Sequence, residues 1–136
     1  MIVISLEELA QLVSGQRPRL EVGYLPHEVS QFFGTSKSTI HLSADSARHI
    51  LAEHRDHIEL KDFSVLPKVL QQGGWINDRE NHCAVIYFST EHDWHFHAVV
   101  KVTKNRGETL VVSFRKSRRK AVKRTVKKGT KLRDHW

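Results

Sequence analysis

Apolar positions in the first half of the chain recur at helical spacing. Leu6, Leu9, Ala10 and Val13 share one stripe, with Ser5 as N-cap and Glu8 three residues later; Gly15 and Pro18 end the segment. A second helix runs from Pro26 to Phe33, where proline suits the first helical position and Gly34 closes the turn. Ile40-His41-Leu42 reads as a short strand. Ser43 then caps a third helix from Ala44 to about His54, with Ala47, Ile50 and Leu51 facing inward. Phe63, Leu66, Val69 and Leu70 mark a fourth helix, stopped by Gly73-Gly74, and Pro67 makes its first turn irregular. After Trp75 the period shortens to two. Cys83 to Thr90, Trp94 to Thr103 and Glu108 to Phe114 are β-branched and aromatic runs separated by short polar loops, predicting three antiparallel strands. Helices followed by a meander give an α+β fold, one domain over residues 1–116. Residues 117–136 are set apart as a basic C-terminal extension, where Val122 and Val126 fit a basic helix or nothing regular.

The hairpin 94–114 carries the most chemistry. Alternation puts Trp94, Phe96, Ala98, Val100 and Val102 on the core side and His95, His97, Val99, Lys101 and Thr103 on the other. A three-residue loop Asn105-Arg106-Gly107 would pair Lys101 with Val111, Val99 with Ser113 and His97 with Arg115. The outer face then gathers His95, His97, Lys101, Ser113 and Arg115. A two- or four-residue loop instead brings Leu110, Val112 and Phe114 there. Imidazoles exchange protons near neutrality, and Lys and Arg oppose the charge that grows on a phosphorane, so the first arrangement suits phosphodiester chemistry.

Charge separates the two ends of the chain. The 136 residues carry a net +7. Residues 1–114 hold 11 basic and 14 acidic side chains, whereas residues 115–136 hold 11 basic ones and only Asp134. Such a concentration is an electrostatic footprint for a polyanion, nucleic acid first and an acidic protein second. Arg115, Lys116, Arg118, Arg119, Lys120, Lys123 and Arg124 are the candidate RNA-binding residues.

Several classes are set aside. With 39% hydrophobic residues the chain has material for one core. It contains no apolar run of the ~18–20 residues that cross a bilayer and no secretory signal at Met1-Ile2-Val3-Ile4, so no membrane partner and a cytoplasmic location are expected. The single cysteine, Cys83, is expected in a strand core. His49, Glu53, His54 and His57 do not meet metalloprotease spacing, and His92, His95 and His97 have only Glu91 and Asp93 nearby as further ligands. No metal and no cofactor is expected.

Gly23-Tyr24-Leu25-Pro26, Phe32-Phe33-Gly34, Ile40-His41-Leu42-Ser43, the helix ending in His54, Val65-Leu66-Pro67 with Val69-Leu70, Val99 to Thr103, and Leu110 to Arg115 occur in that order. Together, over roughly residues 23–116, they resemble the phage-associated members of the Barnase–EndoU–Colicin–RelE (BECR) nuclease-like superfamily. The resemblance implies N-terminal helices packed on a curved antiparallel β-sheet. It also implies a metal-independent ribonuclease, often a toxin acting on tRNA or mRNA in a bacterium or a phage-infected host, and an acidic antitoxin or immunity protein as a second partner. The positions carried over are His54 at the helix end, Lys101 in the middle strand, and Ser113 with Arg115 in the last strand; His97 is added on geometry. The cationic stretch after Arg115 is not part of the pattern.

The expected function is a small metal-independent endoribonuclease. His54 or His97 would activate the ribose 2′-OH, Lys101 and Arg115 would stabilise the oxyanion, and Ser113 would orient a phosphate oxygen, leaving a 2′,3′-cyclic phosphate. The alternative is a non-catalytic nucleic-acid-binding or phage structural module of the same fold.

Overall fold

The first helix shows how local sequence sets the ends of an element. In α1 (Leu6–Ser14) the Glu8 N–H donates to Ser5 Oγ at 3.1 Å and the Ser5 N–H donates to Glu8 Oε1 at 3.2 Å, a reciprocal capping box. Gly15 ends it at φ 88°, a left-handed conformation open to glycine at little cost. The computed structural model describes residues 2–36, 38–53, 58–91, 94–103 and 108–133.

After α1 come β1 (Arg19–Tyr24), α2 (His27–Phe33), β2 (Thr39–Ser43) and α3 (Ala44–Ala52). A 3₁₀ turn (Leu60–Val65) leads into α4 (Leu66–Gln72), with Pro67 in its first turn. Then follow β3 (Gly74–Arg79), β4 (His82–Ser89), β5 (Trp94–Thr103), β6 (Glu108–Ser117), α5 (Arg119–Lys128) and β7 (Thr130–Arg133). The fold is α+β. Among the described residues the seven strands form one sheet in the order β1-β2-β6-β5-β4-β3-β7.

That sheet is mixed, because β2 runs parallel to β6 while every other pair is antiparallel. The fully antiparallel sheet expected from the meander is corrected at this one junction. Helix α3 and the 3₁₀ turn–α4 segment lie between β2 and the meander in sequence, and so long a connection permits a parallel neighbour. The sheet curls: α2, which follows edge strand β1, packs against β7 from the opposite edge.

One face of the sheet holds the main core. Phe96, Ala98, Val100, Val111 and Phe114 pack there with Leu9 and Leu12 of α1, Ala47 and Ile50 of α3, and Leu66, Val69 and Leu70 of α4. The Phe96 and Phe114 rings stack at 5.4 Å, and the Trp75 Nε1–H donates to the Leu70 carbonyl at 3.1 Å. Cys83 is buried in the same core, and burial, then Asp78, pushes its thiol up to about 12.

Residues 117–133 do not hang free of this body. Ser117 belongs to β6, α5 crosses the second face of the sheet, and β7 pairs with β3 through Asn77–Thr130, Ile76–Lys131 and Trp75–Arg133. Val122 of α5 is buried against Ile76 and Ile86, with Val126 beside it. Gly129 sits at the α5–β7 joint because no side chain fits: a Cβ there would come within 2.3 Å of Ile76 Cγ2.

Candidate nucleic-acid interface

The second face of the sheet is where the expected site residues were to meet, and the β5–β6 register decides how many do. Beyond a bulge at Val112 the pairing is His97–Arg115 and Val99–Ser113. Before it the pairing is Lys101–Leu110 and Thr103–Glu108. Both registers left open by the sequence are therefore present, one on each side of an extra residue. Loop residues 104–107 lie outside the described residues, as does His54.

His97 and Arg115 form the tightest part of this face. The guanidinium Nη2 lies 3.3 Å from His97 Nδ1, and Ser117 Oγ is 3.5 Å from the same nitrogen. A guanidinium only donates, so Nδ1 accepts and the ring proton sits on Nε2. His97 is 3% exposed, and its Nε2 is buried without a hydrogen-bond partner among the described residues. Burial, with Arg115 adding to it, lowers its pKa to about 4. The open, solvent-facing imidazole expected here is thus replaced by a covered one. The reason is α5, which lies over the strands that hold it.

Lys101 is exposed on the same face, but four residues further along β5, about 13 Å away at strand rise. Ser113 is half-buried beside Arg115. Lys101 has different neighbours. A transverse row runs Glu21–His41–Leu110–Lys101–His82 across β1, β2, β6, β5 and β4. Cross-strand partners share a face, so His41 and Lys101 flank Leu110 two strands apart, roughly 10 Å between backbones. Burial, then Arg19, lowers the His41 pKa against the opposing pull of Glu21 and Glu108, and its Nδ1 is buried without a hydrogen-bond partner among the described residues. Arg19 Nη1 lies 3.6 Å from Glu108 Oε1. His41 was not among the expected site residues. Its signal was the alternation Ile40-in, His41-out, Leu42-in, which places it on this face.

The cations divide sharply. Lys116 turns to the core side: its Nζ is 3.4 Å from Asp62 Oδ2 and 4.1 Å from the centre of the Trp94 ring. It is a structural cation, not an exposed one. Arg118, Arg119, Lys120, Lys123 and Arg124 are all exposed, and so are Lys127 and Lys128, which sequence reasoning passed over. Among the described residues none of these seven forms an ion pair. The first turn of α5 contains no acidic residue, and its N-cap is Arg118. The helix dipole therefore adds to the positive potential at that end.

Between α5 and the start of β5 runs a groove of about 560 Å³, lined by His95, Arg119, Val122, Lys123, Val126 and Lys127. His95 packs on Phe88 with ring centroids 4.9 Å apart, and Phe88 is 38% exposed. Burial, with Arg119 beside it, lowers the His95 pKa. No group of three or more His, Cys, Asp or Glu able to hold a metal occurs among the described residues. No helix among them is long and apolar enough to cross a membrane.

Comparison with protein-family models, with curated proteins and with solved structures returns no match.

Proposed function

We propose that this protein binds RNA, gripping the phosphate backbone along α5, as a domain of BECR-like architecture. The observation that carries this reading is the charge of α5, which no ion pair among the described residues neutralises. Seven exposed cations fall between Arg118 and Lys128, and no Asp or Glu occurs from residue 109 to 133. A helix whose apolar side is already buried on Ile76 and Ile86 does not need that charge to fold; like charges at i, i+4 oppose it. A polyanion offsets the repulsion and releases its own counterions on binding. What supports the BECR part of the reading is a helix-rich first half, α1 to α4, packed on the antiparallel meander β3 to β6. Fluorescence anisotropy of a labelled RNA at rising salt tests it: affinity falls steeply between low and physiological salt, and no binding at low salt rejects it.

A second reading, metal-independent endoribonuclease, is favoured by the His41–Leu110–Lys101 row. A histidine held neutral near pH 7 can take the proton from a ribose 2′-OH as that oxygen attacks the adjacent phosphorus. Lys101 can oppose the charge gathering on the phosphorane, and the 5′-oxygen leaves with a proton from a general acid or water. The products are a 2′,3′-cyclic phosphate and a free 5′-OH. His54 stays in this reading as a second proton-transfer group. His97 does not, because it is covered and bound to Arg115. The test is mixed RNA incubated in chelator, with end-group analysis. Cyclic phosphate termini lost in His41→Ala support it, and intact RNA at high protein concentration rejects it.

A further inference from the structure

We infer that the groove between α5 and the start of β5 receives an unpaired segment of the RNA, with one base stacked on the Phe88–His95 pair and its phosphates on Arg119, Lys123 and Lys127. The inference rests on the RNA-binding reading and adds which form of RNA is bound.

Three features of the groove converge. The cations stand at i, i+4 and i+8 of one helix, so they line a single edge of α5 over about 12 Å. That length matches about three nucleotides at ~3.4 Å per stacked step. The floor between the cations and the strand is Val122 and Val126, an apolar surface that suits the flat face of a base and offers nothing to a solvated phosphate. The opposite wall is His95, continued by Phe88, whose ring is more than one-third exposed on a strand where most neighbours are buried.

Aromatic platform plus cationic track is the combination that holds single strands, because every base has a π-face. A paired base has both faces covered by its neighbours in the helix and cannot offer one to Phe88. The volume of about 560 Å³ falls in the ~300–1,000 Å³ range of small-ligand sites. The lowered pKa of His95 keeps its ring uncharged at neutral pH, so it acts as a stacking surface and a hydrogen-bonding edge. An acidic peptide would use the same three cations but would leave the aromatic wall without a partner.

The test uses the full chain with a short single-stranded RNA carrying a central 2-aminopurine, and an RNA duplex with the same number of phosphates. The single strand binds about tenfold more tightly at equal salt, and the 2-aminopurine fluorescence is quenched on binding. Phe88→Leu keeps the apolar side chain and removes the π-face. It lowers single-strand affinity about tenfold, in the range for one base–aromatic stack, and leaves duplex affinity and the salt dependence unchanged. Equal affinity for the two RNAs, no quenching and a neutral Phe88→Leu would overturn the inference while leaving RNA binding in place. Competition by poly-glutamate as effective as that by RNA would overturn it in favour of an acidic protein. Absence of binding to either RNA at low salt would remove both readings.

Discussion

Arg115 and His97 face each other across the β5–β6 ladder with 3.3 Å between guanidinium and imidazole nitrogens, and the contact holds only while the histidine is neutral. Its folded pKa, about 4, lies below the ordinary 6.5. The unfolded chain therefore binds the proton more readily. Stability is fully present above pH 6.5 and is lost as pH falls towards 4, by about 3 kcal/mol for this group alone. His41 and His95, also lowered, add losses of the same sign. Thermal melts at pH 7 and pH 4.5 should show a clear drop in Tm, and His97→Gln should shrink the difference between the two.

Lys116 and Lys120 carry the same charge in adjacent parts of the chain and should behave oppositely. Lys116→Ala leaves the Asp62 carboxylate in the core with the Glu59 N–H, 2.8 Å away, as its one remaining partner among the described residues. The expected cost is of the order of 3 kcal/mol in urea unfolding, with little change in the salt dependence of RNA binding. Lys120→Ala should leave unfolding unchanged within about 0.5 kcal/mol and weaken RNA binding.

Gly129 should tolerate no side chain. A Cβ would meet Ile76 Cγ2 at 2.3 Å and the Asn77 carbonyl oxygen at 2.7 Å, so Gly129→Ala must lift the α5–β7 joint from the sheet. A loss of about 1–3 kcal/mol is expected, the usual range for overpacking. Deletion of residues 118–136 should do more. It removes β7 from the β3 edge and uncovers Ile76, Ile86 and His97. Size-exclusion chromatography should show aggregation or loss of the folded monomer, not a stable core lacking RNA affinity.

These predictions differ from what the sequence alone supports because charge hid structure. The helices α1 to α4 were legible: capping residues, glycine stops and apolar stripes agreed at Ser5, Ser43, Gly34 and Gly73. The core face of β5 was legible from strict alternation. Strand β3 was not, because Trp75 and Ile76 are buried on opposite faces and the run beyond them is polar, so no alternation shows. Strand β1 was masked by the bulge between Glu21 and Gly23, and β7 offers only Leu132 as an apolar residue. At the site, the pairing of His97 with Arg115 could be read from register. The covering of His97 by α5 could not, because eleven cations in 22 residues look like a solvated tail until Val122 and Val126 find Ile76 and Ile86.

The endoribonuclease reading makes its own demand on pH. If His41 is the base, cleavage needs its neutral form, so the rate should rise through the acid range and level off below the ordinary histidine value of about 6.5, because its pKa is lowered. A rate profile that rises only above pH 7 would point to another group.

The most direct measurement is the slope of log K against log salt for single-stranded RNA, compared between the parent chain and the triple variant Arg119→Gln, Lys123→Gln, Arg124→Gln, with circular dichroism confirming that both are folded. Three lost phosphate contacts should reduce the slope by about 2 and weaken binding at every salt concentration. An unchanged slope and affinity in the folded variant would contradict α5 as the RNA-binding element.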